Sequence, residues 1–149
     1  MTYKRPESVL VVIHTPTLEI LLLERADHPG WWQSVTGSLE NDETPGQAAQ
    51  REVQEETGLM VSPAHLHDWQ QINRYKIYKE FLYRYAPGVT HNTEHVFSLQ
   101  VPATLKIIIA PQEHLHYCWM TANEAAERCF SPSNAATIRQ LQKTHFGPA

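Results

Sequence analysis

The chain of 149 residues carries 12 Lys and Arg against 16 Asp and Glu, a formal net charge of −4. With 42% hydrophobic and 19% charged residues it can build a packed core, and its length suits one domain, expected over residues 1–149, rather than two. The acidic balance gives no general field for holding nucleic-acid polymers or an anionic membrane surface, and no apolar run approaches the length of a membrane span.

Val9–Ile13 and Ile20–Leu23 are short β-prone runs joined through Pro16, and are expected to pair. Asp27–Glu43, with its Pro, Gly, Asn and Asp, reads mainly as loop. Thr44, Pro45 and Gln47 form a capping-box start and Gly58 a stop. The spacing therefore predicts a helix over Pro45–Thr57, anchored by Ala49 and Val53, with Leu59 just beyond its end. His67–Tyr85 reads as one or two strands, with alternation running through Ile77–Phe81. His95–Val101 is another strand, followed by a loop around Pro102 or Pro111, and His116–Met120 a short last one. Thr121 and Glu124 make a second capping-box pattern. Ser133 or Asn134 starts a final helix that packs through Ala136, Ile138 and Leu141. Strands around a capped central helix, followed by helices, imply a layered α/β domain. Cys118 and Cys129 have no paired spacing, which argues against a disulfide scaffold or a cysteine metal site and favours a reducing compartment, the cytoplasm.

Chemistry concentrates in the predicted helix. Glu52, Glu55 and Glu56, three and four residues apart, share one side of it. Exposed glutamates of this kind commonly form only a solvated face. Crowded carboxylates also repel one another, and a hard divalent cation relieves that repulsion directly. A donor set made only of oxygens favours Mg²⁺ or Mn²⁺ over zinc. Bound ions would let an acidic protein grip phosphate oxygens and hydrolyse a phosphoanhydride. The nine histidines carry no independent metal signature; His65 and His67, or His114 and His116, are merely two residues apart.

The segment Gly37–Leu59 resembles the defining box of the Nudix hydrolases, Gly-x5-Glu-x7-Arg-Glu-U-x-Glu-Glu-x-Gly-U, where U is a bulky aliphatic residue. Gly37, Glu43, Arg51, Glu52, Val53, Glu55, Glu56, Gly58 and Leu59 supply every specified position. The resemblance implies a Nudix fold of class α/β, a mixed β-sheet sandwiched between α-helices with the box as a loop–helix–loop. It also implies cleavage of nucleoside diphosphates linked to another group, with Mg²⁺ as the usual cofactor. Carried over by position, Glu52 and Glu56 are metal ligands and Glu55 is a ligand or base, with the Gly37 carbonyl joining the shell. Glu43 and Arg51 form an ion pair that stabilises the box. A further acidic ligand or base is assigned to Glu113, with Glu94 as its runner-up.

Outside the box the chain is similar to one branch of that family, the dihydroneopterin triphosphate pyrophosphatases. The similarity is carried by Tyr3–Pro6, Trp32–Ser38, Arg84–Thr90, Asn92–Glu94, Glu113–Leu115 and Ser133–Asn134. It implies release of pyrophosphate from 7,8-dihydroneopterin 3′-triphosphate, leaving the monophosphate for folate synthesis. Lys4 and Arg25, with Arg5, are then candidates for phosphate oxygens. Trp31, Trp32, Tyr75 and Tyr78 are candidates for the ring surface, and Thr36, Asn92, Asn134 and Ser133 for its polar edge. His114 is retained as a substrate contact because it adjoins Glu113. The partner is thus a small pterin or nucleoside triphosphate, with assembly state open. Two alternatives stand beside this reading: a dATP or general nucleoside triphosphate pyrophosphohydrolase, and a noncatalytic nucleotide sensor on the same fold.

Overall fold

A computed structural model describes residues 2–146. Seven strands and three α-helices follow in the order β1 Glu7–His14, β2 Glu19–Arg25, β3 Trp32–Gln33, β4 Val35–Ser38, α1 Pro45–Thr57, β5 Leu66–Lys76, β6 His91–Gln100, β7 His114–Thr121, α2 Ala122–Arg128 and α3 Pro132–Phe146. Short 3₁₀ segments at Pro63–His65 and Lys79–Arg84 flank β5. Among the described residues no helix is long and apolar enough to cross a membrane.

The strands form one mixed sheet. β1 lies parallel to β6, and the remaining pairs are antiparallel. β1 and β2 meet only at His14 and Ile20 and then diverge. β3 and β4 fill the wedge, β3 against Leu23 and Glu24, β4 against Ser8–Val11. Strand pairing thus overrides the polar, Gly-containing composition that marks Asp27–Glu43 as loop. At Ser34, between β3 and β4, the backbone amide instead donates to Asn134 Oδ1 at 2.8 Å, and Asn134 Nδ2 donates to Ser34 Oγ at 3.0 Å. This pair ties the first turn of α3 to the sheet.

β1 and β2 read as continuous aliphatic runs because helices cover both faces of the sheet. Val9, Val11 and Ile13 pack with Ala48, Ala49 and Val53 of α1, whereas Val12, Ile20 and Leu22 pack with Ala125, Ala126 and Ile138 of α2 and α3. Full burial of each such aliphatic contributes about 1.5–3 kcal/mol. The central helix has the predicted bounds: Thr44 and Gln47 complete the capping box, and Gly58 closes the helix at φ 75° with its amide on the Gln54 carbonyl.

Other bounds differ. β5 ends at Lys76, and the Ile77–Phe81 alternation belongs to an extended turn and a 3₁₀ segment rather than a strand. β6 and β7 begin earlier than expected, at His91 and His114. α3 begins at Pro132, where the Ser131 carbonyl accepts from the Ala135 amide; Ala136 faces solvent and Ala135 packs in its place.

Candidate active site

A cleft of about 960 Å³ opens across the end of the sheet. Its acidic end is built by α1, β4 and the start of β7. On α1, the turn that buries Val53 against the sheet also directs Glu52 and Glu56 inward, while Glu55 stays exposed. Arg51 holds these carboxylates in place. Its Nε and Nη2 donate to the two oxygens of Glu43 at 2.6 and 2.9 Å, and Nη2 also reaches the Ser38 carbonyl at 3.0 Å. Its Nη1 donates to Glu52 at 2.6 Å and Glu55 at 3.2 Å. The hydrogen bonds from Arg51 hold the Glu43 carboxyl below its ordinary range.

Gly37 is required where it stands. A Cβ there would overlap the Glu52 carboxylate, so only glycine lets strand and helix approach this closely. Deeper in the cleft, Glu56 is 1% exposed and neither of its oxygens completes a hydrogen bond. Burial, and then the neighbouring Glu52 and Glu113 carboxylates, push the Glu56 carboxyl well above its usual value. One ligand atom each from Glu56, Glu113 and His114 lies within 4.8 Å of the others. His114 Nε2 is 3.5 Å from Glu56, but burial and the charge of Arg25 lower its pKa to about 4, so at neutral pH the imidazole supplies no counter-charge. Buried, unpartnered carboxylate oxygens beside a glycine cradle fit a hard divalent cation.

Cationic groups line the middle of the cleft. Arg25 donates to both oxygens of Asp27 at 2.8 and 2.7 Å and to Gln33 at 3.0 Å. Arg84 shares Asp27 Oδ2 at 3.1 Å. Lys4 is an exposed residue on the cleft lining. Desolvation first, then Arg84 and Arg25, lower its pKa. Arg84 and Asp27 belong with the site, although in sequence Arg84 reads equally well as part of a charged strand face. A pairing of Arg84 with Asp27, 57 residues away, has no local signal.

The far end is aromatic. Tyr75, Tyr78, Phe81, Tyr85 and Phe130 line it. Trp31 does not; it stacks with His28 at 4.2 Å and Phe130 at 4.6 Å, behind the lining rings. Trp32 packs in the core beneath α2, with Arg128 over its ring at 5.9 Å. Both tryptophans therefore build the wall, while the expected Tyr75 and Tyr78 line the cleft together with Phe81, Tyr85 and Phe130, which the sequence did not single out for the ring. Thr36 lines the cleft and donates its hydroxyl to the Val9 carbonyl at 2.9 Å. Tyr75 accepts from Asn92 Nδ2 at 3.1 Å, and Ser133 donates to Glu94 at 3.0 Å. Asn134 is committed to Ser34 on both sides of its amide. Glu94 stands on the aromatic wall, apart from the cluster formed by Glu56, Glu113 and His114.

The NUDIX domain profile matches residues 4–141. The chain is 46% identical over 142 residues to the dihydroneopterin triphosphate diphosphatase of Escherichia coli K12, covering 93% of each chain. It is 42% identical over 143 residues to the enzyme of that name from Haemophilus influenzae, covering 94% of this chain and 89% of that one. The solved structure of the E. coli dihydroneopterin triphosphate pyrophosphohydrolase superposes with a TM-score of 0.88 at 45% identity, covering 94% of this chain and 97% of that one.

Proposed function

The chain belongs to the NUDIX family, and on that footing we propose that it hydrolyses 7,8-dihydroneopterin 3′-triphosphate to the monophosphate and pyrophosphate. The reading places it in the cytoplasm, in folate biosynthesis, acting as one domain with Mg²⁺ or Mn²⁺. Its chemistry is carried by one observation, the buried and unpartnered Glu56 carboxylate beside Glu52 and Glu113. Its substrate is carried by identity to two dihydroneopterin triphosphate diphosphatases over nearly their whole length.

Glu52, Glu56 and the Gly37 carbonyl, with Glu55 and Glu113 at the rim, are the groups that would hold the cation. When bound, it would neutralise phosphate oxygens, orient the triphosphate and lower the pKa of a water. The protein's own contribution is positioning. Arg51 fixes Glu52 from behind. Lys4, Arg25 and Arg84 balance phosphate charge beyond the carboxylates, with Asp27 holding both guanidiniums in register. Neutral His114 adds no positive charge of its own beside Glu56 and remains available as a hydrogen-bonding substrate contact. Tyr75, Tyr78 and their aromatic neighbours offer packing for a planar ring. Thr36, Ser133 and Asn134 support that pocket through Val9, Glu94 and Ser34.

Product-resolved kinetics at low substrate concentration, with Mg²⁺, test the reading. The expected result is a higher kcat/KM for dihydroneopterin triphosphate than for dATP, with pyrophosphate as co-product and no turnover after chelation of the metal. Heavy oxygen from labelled water should appear in the monophosphate. Equal or better use of dATP would replace the substrate assignment by the general nucleotide one. Binding without turnover under several divalent ions would favour the sensor.

A further inference from the structure

The Nudix box accounts for one end of the cleft; the opposite wall holds a second buried carboxylate that it does not use. Glu94 is 4% exposed and lines the cleft from β6. Its Oε1 accepts from Asn73 Nδ2 at 3.2 Å and from Ser133 Oγ at 3.0 Å, both neutral donors. No described residue donates to its Oε2, and no cation pairs with the group. Oε2 is not among the fully buried unpaired atoms, so it reaches the cleft surface, where a ligand's donors can replace water.

Its surroundings indicate what that partner is. Asn73 and Tyr75 of β5 lie opposite Glu94 and Asn92 of β6, so all four share one face of the sheet. Asn92 donates one hydrogen to Ser8 Oγ at 2.8 Å and another to Tyr75 Oη at 3.1 Å. The Tyr75 hydroxyl therefore accepts from the protein and keeps its own hydrogen for a ligand. The wall thus presents one free donor and one carboxylate acceptor, beside the aromatic lining of Tyr78 and Phe130. The 2-amino-4-oxo edge of a pterin is the complement: an N–H and an amino group, two parallel donors, next to a carbonyl acceptor. Adenine is a mismatch, because its ring nitrogen turns a lone pair toward the carboxylate.

Resting on the pterin reading above, we propose that Glu94 is the specificity-determining residue, its free Oε2 taking the ring N–H and 2-amino donors while the Tyr75 hydroxyl serves the 4-oxo group. A Gln at this position keeps shape, and with its carbonyl on Asn73 and Ser133 it turns an amide N–H toward the ligand in place of Oε2, a donor that opposes the pterin N–H and suits the ring nitrogen of adenine.

The experiment compares wild type and Glu94→Gln on dihydroneopterin triphosphate, dGTP and dATP. dGTP is included because guanine carries the same donor–donor–acceptor edge. Hydrogen bonds to a charged acceptor of this kind discriminate by about 10- to 100-fold. The expected result is a loss of that size in kcat/KM for the pterin and dGTP, with dATP unchanged or improved. An equal loss on all three substrates overturns the assignment, because that is the signature of a residue that only braces α3 and β5. Equilibrium binding of 7,8-dihydroneopterin, guanosine and adenosine, without phosphates or metal, reads the same preference independently of turnover. If wild type prefers dATP, the substrate reading fails, and this binding arm still decides the fate of Glu94. Unaltered binding of dihydroneopterin by Glu94→Gln overturns it. Tyr75→Phe serves where the Gln variant does not fold, and should lower dihydroneopterin and guanosine binding while sparing adenosine. Equal effects on all three would refute the hydroxyl's part and, with it, the proposal.

Discussion

Gly37→Ala isolates the closeness of strand and helix from every charge in the site. The substitution adds one methyl group, changes no titratable residue and lies in an extended strand that alanine adopts without backbone strain. The added Cβ would overlap the Glu52 carboxyl carbon and both its oxygens. Carbon atoms in ordinary contact sit about 3.5–4.0 Å apart, so the carboxylate must withdraw by roughly 1 Å or more. Arg51 Nη1 holds it on one side at 2.6 Å, so withdrawal breaks either that ion pair or the site geometry. A displacement of about 1 Å in a reacting constellation costs on the order of 10²-fold in rate. The assay is kcat/KM with saturating Mg²⁺, alongside a thermal melt. The expected outcome is a loss near that magnitude with a cooperative melt retained. Gly46→Ala is the control, since a Cβ at Gly46 meets nothing within 4 Å and alanine favours the helix it begins. Full activity in Gly37→Ala would show that Glu52 does not need its observed position.

Arg51→Lys keeps the charge but loses the fork that spans Glu43, Glu52 and the Ser38 carbonyl. It should cost about 2–3 kcal/mol, or roughly 6–12 °C in Tm; a change below one or two degrees would show that the network is decorative. Glu56→Gln should abolish turnover while stabilising the metal-free fold at neutral and alkaline pH. The sign follows from burial: the Glu56 carboxyl is raised above 4.5, so the folded state binds the proton more tightly than the unfolded chain. Stability of the metal-free wild type then falls as pH rises from the ordinary carboxylate range toward the raised value, and this component is missing from the variant. Parallel pH–stability curves for the two proteins would contradict that assignment.

What could be read from the sequence was local. Thr44, Gln47 and Gly58 set the bounds of α1 through contacts within a few residues, and the structure keeps them. The box residues, too, sit within one contiguous segment. The β3–β4 run was not legible because its stability comes from partners far along the chain: Val35 pairs with Val11, and Ser34 is held by Asn134, 100 residues away. The Ile77–Phe81 alternation misled for the opposite reason. Only Ile77 of that stretch is buried, and it sits in the turn by which the chain leaves β5 for the 3₁₀ segment. Aromatic residues likewise announced a ring surface without saying which of them face it; Phe130, which the sequence did not single out, lines the cleft where Trp31 was expected, because stacking between distant loops sets Trp31 behind it.

The net charge of −4 therefore describes the cleft poorly. Asp27 is shared by two guanidiniums, so Arg25, Arg84 and Asp27 together retain one positive charge, and Lys4 adds a second that its neighbours destabilise. The acidic end carries the opposite sign, with Glu52 and Glu55 on Arg51 and Glu56 lacking any charged partner that is protonated at neutral pH. Anionic phosphates relieve the crowded cations at the centre, but are repelled at the acidic end until its carboxylates are neutralised. Burial magnifies both effects, since the same charges would be screened on an open surface. The chain thus separates a permanently anion-attracting centre from a conditional acidic end. The ring wall beyond them, with Glu94 as its only buried carboxylate among the described residues of β5 and β6, discriminates by the pattern of hydrogen bonds that carboxylate and the Tyr75 hydroxyl can make.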